Sequence, residues 1–508
     1  MERVAPPQVN YDNVLPLAIE SRSNRREFLP VNGQSFSNTT GATVCRIDVN
    51  ADSMLDASHS YLEYTLNNNA GAFEFLAANP FCPSWIQRLR IESGGVVVED
   101  INEYARLYAM LVLNQCPKDY VMNNLSNQGI YSHPASGNLM VGNANFTDYT
   151  PTAGGGTNQN DPTGTGSAIT DLVYPPSAQA IIKGVSRTED FGIVADGANN
   201  QPSANGITLG QSDNRIDNGA GKVCCVPLIS GFLNMDKYIP LIMMNAGFTI
   251  ELTLCDANRI GLTQTETGGA NQGVMVDSVW AVDNVKYVAH LIDLDRSFYD
   301  RLRAVMEGSG GVLQLAGQTY RHYVGQIPNT AGPHTVTIPA RVKSVKSIFG
   351  TFIDSTQVGT NACFDSSVFQ WGNISSWRFE IGSVRYPQTD VNSLGAENEV
   401  ELQKAWGKLG DYQHQQAYNS GAVANIQDAR TGINLPASSL SAFFIGYDFE
   451  AFQRVALESG VNTADRSLPI NWIGSRSATT TNPTRCDFYV LTDAIYYINL
   501  DGTVSVSV

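Results

Sequence analysis

The sequence is short of charge, of paired cysteines and of uninterrupted apolar runs, and each shortage removes a class of protein. Only 16% of the 508 residues are charged, and the 48 acidic side chains outnumber the 32 Lys and Arg, giving a net charge of −16. Wrapping duplex DNA over a whole surface needs many cations to displace phosphate counterions. No specific nucleic-acid binding is therefore expected, although a locally basic arm stays compatible. The opening "MERVAPPQVNYDNVLPLAIESRSNRREF" contains no apolar core of signal-peptide length, so nothing points to secretion. The most apolar stretch, residues 238–254, is interrupted by Pro240, Asn245 and Gly247. From Phe248 it alternates Phe248, Ile250, Leu252, Leu254 against Thr249, Glu251, Thr253, the pattern of a half-buried strand and not of a membrane span.

Chemistry-bearing motifs are missing too. The eight cysteines (Cys45, Cys82, Cys116, Cys224, Cys225, Cys255, Cys363, Cys486) show no C-x-x-C spacing, and several sit in apolar runs. They read as buried free thiols in a reducing compartment, with no redox or zinc site. The six histidines (His59, His133, His290, His322, His334, His414) lie far apart, without H-E-x-x-H, H-x-H or a carboxylate at ligand spacing. His290 reads as a core or interface histidine. "DNGAGKV", 217–223, fails as a phosphate loop because Val223 follows Lys222 where a hydroxyl should bind magnesium. No G-x-S-x-G elbow occurs, and no carboxylate pair stands out among the acidic residues. An enzyme is not expected, and no catalytic, cofactor-binding or metal-ligating residue is assigned. The sequons at Asn38, Asn124, Asn145 and Asn373 carry little weight without secretion.

What is present is Gly (45), with abundant Asn, Thr and Ser, a composition that suits strands joined by long polar loops. The length suits two large β units. Residues 1–34 read as an N-terminal arm with an arginine cluster, Arg22, Arg25 and Arg26, either a solvated tail or a strap against a neighbour or an internal layer. "WIQRLRIESGGVVVED", 85–100, reads as a hairpin turning at Gly94-Gly95. A helix follows, with Asp100 and Glu103 at capping-box spacing and Ile101, Tyr104, Tyr108 and Leu111 on one face. Residues 117–222 are too polar to build core and read as an exposed insertion. At 297–311 a short helix is expected, capped by Ser297, facing inward through Phe298, Leu302 and Val305, and ended by glycines. It marks a candidate linker.

After residue 311 the order repeats. Strand runs precede the Trp-led strand "WRFEIGSVRYP", 377–387, as they precede the strand beginning at Trp85. Next comes a helix, 397–409, facing inward through Leu402, Ala405, Trp406 and Leu409, then a polar loop and more strands. Both halves close alike, on "YVAHLIDLD" (287–295) and "AIYYINLD" (494–501). The basic spot Arg341, Lys343, Lys346 reads as a solvated strand edge protected by charge.

"FLNMDKYIPLIMMNAGFTIELTL", "VKYVAHLIDLDRSFYDRL", "IGSVRYP" before a helix, and "ESGVNTADRSLPINW" leading to "CDFYVLTDAIYYINLDGTV" together resemble the double jelly-roll major capsid proteins of tailless double-stranded DNA viruses. Within these the resemblance is to polinton-like viruses, virophages and nucleocytoplasmic large DNA viruses, over residues 40 to 508. It implies an all-β chain of two consecutive eight-stranded jelly rolls with short helices and long loop insertions. The first roll would span 35–295, the linker helix 296–311 and the second roll 312–508. It also implies a homotrimeric, pseudo-hexameric capsomer that tiles an icosahedral virion shell, meeting neighbouring capsomers, with minor capsid and penton proteins at the inner base. An internal membrane is left open. Two alternatives are a carbohydrate-binding or carbohydrate-active β-sandwich protein, which would need an aromatic groove, and a minor or penton capsid protein.

Overall fold

A computed structural model describes residues 20–37, 39, 41–71, 74–117, 120, 125, 128–130, 195–196, 201–202, 216, 218–235, 237–265, 275–308, 310–359, 365–393, 396–407, 443–451, 459–465 and 468–508. Sixteen principal strands fall into two sets of eight. The first set is β1 (Ser21–Phe28), β2 (Val44–Val49), β3 (Met54–Asn68), β4 (Ile86–Ser93), β5 (Val96–Asn102), β6 (Gly221–Val226), β7 (Phe248–Leu254) and β8 (Trp280–Leu294). The second is β9 (Val312–Ile327), β10 (Gly332–Ile338), β11 (Val345–Asp354), β12 (Ile374–Ile381), β13 (Val384–Asn392), β14 (Phe444–Asp448), β15 (Ile470–Arg476) and β16 (Thr484–Asn499). Helix α1 (Tyr104–Gln115) lies between β5 and β6, α2 (Arg296–Gly308) joins the sets, and α3 (Ala396–Trp406) lies between β13 and β14. A last strand, β17 (Val504–Ser507), pairs with β16.

The first set forms two antiparallel sheets in the orders β1-β8-β3-β6 and β2-β7-β4-β5; the second forms β9-β16-β11-β14 and β10-β15-β12-β13. Adding eight to each label of the first pair gives the second pair. Each set is thus an eight-stranded jelly roll, and the chain is a double jelly roll. The echoing segments 287–295 and 494–501 belong to the equivalent strands β8 and β16, each next to the strand that opens its roll.

Local chemistry explains the elements. Strand β15 alternates buried and half-buried residues, the period-two pattern of a sheet with one face on a core. The β4–β5 turn uses Gly94 and Gly95 at φ 56° and 83°, where only glycine is unstrained. Strand β11 is buried at nine of its ten positions because both of its faces are covered. Ile348 and Phe352 enter the core of the second roll, while Phe349 joins the larger core centred on the first.

Several expectations change. Within the stretch read as an arm, residues 21–28 form β1, in register with β8 from Ser21–Leu294 to Phe28–Tyr287. It escaped notice because an edge strand buries only Phe28 and carries polar side chains elsewhere. The capping box does not form. Asp100 lies in β5, ion-paired with Arg88, Ile101 lies in the same strand, and Glu103 takes a left-handed φ of 52° at the start of α1 without capping it through its side chain. In α2 the cap is Asp295, whose carboxylate accepts from the Ser297 N–H at 3.1 Å and from its hydroxyl. Its inward side is marked by Met306, and Val305 is 61% exposed. Lys346, expected at a solvated edge, is buried against Glu450 at 2.9 Å and Asp493 at 3.4 Å. Leu409 and most of 117–222 lie outside the described residues; at the end of that stretch Gly221 and Lys222 open β6.

Candidate functional site

The greatest concentration of buried polar chemistry among the described residues is the seam between the rolls. Helix α1 is buried on all sides apart from Gln115, so it packs as a wedge and not as a surface helix. Its Arg106 reaches into the second roll. The guanidinium donates to Thr351 Oγ1 (3.1 Å) and to the carbonyl oxygens of Asp365 (2.6 Å), Val368 (2.9 Å) and Phe352 (3.2 Å). It also lies 3.3 Å from Asp487 and 4.7 Å from the Phe369 ring centroid.

Around it the charges alternate. Arg259 bridges Glu103 (2.6 Å) and Asp365 (2.8 Å), and Arg485 bridges Glu103 (2.9 Å) and Asp487 (2.8 Å). His322 Nε2 lies 2.9 Å from Asp487 Oδ1. Burial alone would raise the Glu103 pKa, but the hydrogen bonds and charge of Arg259, with the charge of Arg485, outweigh it and hold the carboxyl at about 2. Asp487 is lowered in the same way: burial opposes, and the His322 hydrogen bond with the charges of Arg106 and Arg485 prevails. Each arginine and each carboxylate of this cluster has a partner of opposite sign from the other roll or from a loop between strands. This is the condition under which buried charges are tolerated.

A second contact lies beside β5. Glu99, fully buried, accepts from Thr319 Oγ1 of β9 (2.6 Å), from the Gly231 and Phe232 N–H groups (2.9 and 3.3 Å) and from the Ser230 hydroxyl. Burial pushes its pKa up, against the pull of the Ser230 and Thr319 hydrogen bonds. Gly231 allows the rolls to approach here, since a Cβ on it would lie 1.4 Å from the Gln318 carbonyl oxygen. A cavity of about 480 Å³ opens between β5, β9 and the C-terminal strand, with Asp100, Arg321, His322 and Tyr323 among its lining residues.

The arrangement holds two units together. His59 sits on Asp56 at 2.7 Å with its ring 5.9 Å from that of His290, at the outer surface of β3 and β8. His334 is half-buried, and His133 and His414 lie outside the described residues. Cys45, Cys82, Cys224, Cys255 and Cys486 are buried free thiols, with burial raising the Cys45 pKa to about 12 and the Cys224 pKa to about 11. Cys363 lies outside the described residues. No group of three or more potential metal ligands occurs among the described residues. Trp85, Trp280, Trp377 and Trp472 are fully buried and Trp406 nearly so, which removes them from any sugar-binding groove. No described helix is long and apolar enough to cross a membrane.

Of the seam's arginines and carboxylates the sequence singled out only Glu103, and that as a helix cap and not as an ion-pair partner. The seam joins positions more than a hundred residues apart, and single Arg, Glu and Asp residues carry no local signal of burial.

Two jelly rolls in tandem, joined by a helix and welded along such a seam, define the class of fold. Solved structures to which this chain is similar include capsid proteins. The chain is similar to the PBCV-1 protein VP54 fitted into a reconstruction of the virophage Sputnik (TM-score 0.51, 10% identity, 98% of this chain and 99% of that one). It is similar to the Faustovirus major capsid protein (TM-score 0.52, 10% identity, 96% and 92%) and to the protein of the PBCV-1 virus capsid (TM-score 0.50, 11% identity, 98% and 99%). No family model matches the chain, and no curated protein matches it.

Proposed function

We propose that this chain is the major capsid protein of an icosahedral virus, made and assembled inside the host cell and resident in the virion shell. Three copies form a pseudo-hexameric capsomer, capsomers tile the shell, and minor capsid and penton proteins meet it at the inner base. Its role is structural and not catalytic. In the same reading the first roll extends to residue 295, the linker helix occupies 296–311 and the second roll begins at 312.

The observation that carries this reading is the repetition of one eight-strand order in both halves, joined by a seam inside one chain. Two rolls already fixed side by side supply two of six quasi-equivalent positions, so three chains complete a ring. The likeness of nearly the whole chain to capsid proteins supports the same reading. The deciding experiment is a native mass measurement of the purified protein with negative-stain imaging. Trimers with a pseudo-hexagonal outline are expected; monodisperse monomers across salt and pH would sink the proposal.

A further inference from the structure

The internal repeat identifies surfaces that the single chain leaves open. Inside the chain, β5 and the helix after it, α1, sit against β9 and the outer face of the sheet β9-β16-β11-β14, through Glu99–Thr319, Arg106–Thr351 and Tyr489–Glu103. The equivalent pair of surfaces, by the same shift of eight labels, is β13 with α3 on one side and β1 with the sheet β1-β8-β3-β6 on the other. Within one chain these counterparts are uncovered. Seven of the eight residues of β1 are not buried, and in β13 only Val391 is. On the outer face of β3, Tyr61, Glu63, Thr65 and Asn67 are half-buried, whereas β11 is covered on both faces. The same surfaces carry exposed apolar side chains, Val223 on β6 (58%), Val384 on β13 (51%) and Val400 on α3 (39%).

Their charges are opposite. Strand β1 holds Arg22, Arg25 and Arg26 against one acid, Glu27, in a chain whose net charge is −16. Helix α3 holds Glu397, Glu399 and Glu401 against one base, Lys404. Arg25 lies on the outer face with Glu27 at 3.2 Å, Glu63 at 4.0 Å and the Tyr61 ring, while Arg22 and Arg26 alternate to the side of Phe28 at the unpaired edge of the sheet, Arg26 5.0 Å from the Phe28 ring centroid, and make no ion pair among the described residues. On the opposing side the one exposed cation of β13, Arg385, lies 3.3 Å from Glu380 and is offset by it.

We propose that β1 and the outer face of the sheet β1-β8-β3-β6 dock a second copy of this chain through its β13 and α3. The contact repeats between chains what the seam does within one. It is heterologous, with different patches on the two copies, and it propagates head to tail until the ring closes. The proposal rests on the capsomer reading and names the surfaces that build it. Complementary charge at such an edge sets register and partner choice, and its contribution falls as salt shortens the Debye length.

The test is a charge-swap cycle on the full chain, read as trimer dissociation by native mass spectrometry and sedimentation. One variant carries Arg22→Glu and Arg26→Glu, a second carries Glu397→Lys and Glu401→Lys, and a third carries all four. Each pair alone is expected to weaken the trimer about tenfold or more at about 50 mM salt, with the loss shrinking at about 0.5 M. The four-fold variant is expected to recover most of the affinity. Arg303→Glu, on the exposed face of α2, serves as a control that leaves the trimer intact. Circular dichroism checks folding, and because the two pairs lie on separate elements, misfolding of one leaves the other as a test. Wild-type trimers indifferent to both pairs, or a four-fold variant worse than either pair, overturn the docking surfaces while the capsomer reading stands. Wild-type chains that never form trimers overturn the capsomer reading and this inference with it.

Discussion

The Tyr489 hydroxyl donates to the main-chain oxygen of Glu103 at 3.1 Å, tying the last long strand of the second roll to the residue that opens α1 in the first. The same oxygen accepts the first helical bond, from the Leu107 N–H at 3.1 Å. Tyr489→Phe therefore leaves the acceptor paired and is expected to cost about 1 kcal/mol. Urea unfolding measures this, and a loss above about 3 kcal/mol would mean that the hydroxyl supports more than this one bond.

Acid should loosen the seam. The Glu103 carboxyl sits at about 2 in the fold against an ordinary 4.5, so its ionised form is the one the fold favours. Its contribution is complete above about pH 4.5 and is lost as pH falls toward about 2, and the lowered Asp487 acts in the same direction. Melting temperature is expected to hold near neutrality and to drop below about pH 4.5. Arg259→Met should cost about 3–5 kcal/mol near neutrality, by leaving Glu103 and Asp365 short of their cation, and should flatten the acid limb. An acid limb as steep as that of the wild type would remove Arg259 as its cause.

At Gly231 the main chains of the two rolls approach so closely that a methyl group has no place, with the Gln318 carbonyl oxygen 1.4 Å from where its carbon would lie. The atom in the way is backbone and cannot swing aside. Gly231→Ala should destabilise the chain by at least about 3 kcal/mol or prevent its soluble expression. Gly219→Ala, at a turn where a Cβ meets nothing within 4 Å but φ is +70°, should cost only about 1 kcal/mol. Equal melting temperatures for the two variants would contradict the close approach.

The thiols should report unfolding. Cys45, Cys82, Cys224, Cys255 and Cys486 are buried, and burial raises the pKa of each. Maleimide at neutral pH is expected to reach Cys225 and Cys116, which are partly exposed, before these five, which react only at the rate of global opening. Peptide mapping by mass spectrometry resolves the order. Prompt labelling of Cys486 in the native protein would mean that β16 opens locally.

The parts of the fold legible in the sequence are those encoded by short-range pattern. The alternation at 248–254, the Gly94-Gly95 turn and the repeated strand endings at Asp295 and Asp501 all depend on residues within about ten positions of each other, and the structure places each as expected. Strand β1 was hidden because SRSNRREF has no alternating apolar face, its partner lying more than 250 residues away. The capping-box reading failed because Asp100 and Glu103 serve long-range ion pairs, a use that local spacing cannot distinguish from a helix start. The seam itself was invisible for the same reason. Lys346 was misread because a charge buried in a pair looks in sequence like a charge in water.

Strand β16 lies between β9 and β11 and also brings Arg485, Asp487 and Tyr489 to the seam, while Val508 packs against both cores. A ribosome that has released only the first three hundred residues has supplied every strand of the first roll and none of these. The inter-roll joint therefore closes late in synthesis, and a chain broken off early exposes the α1 wedge without its socket.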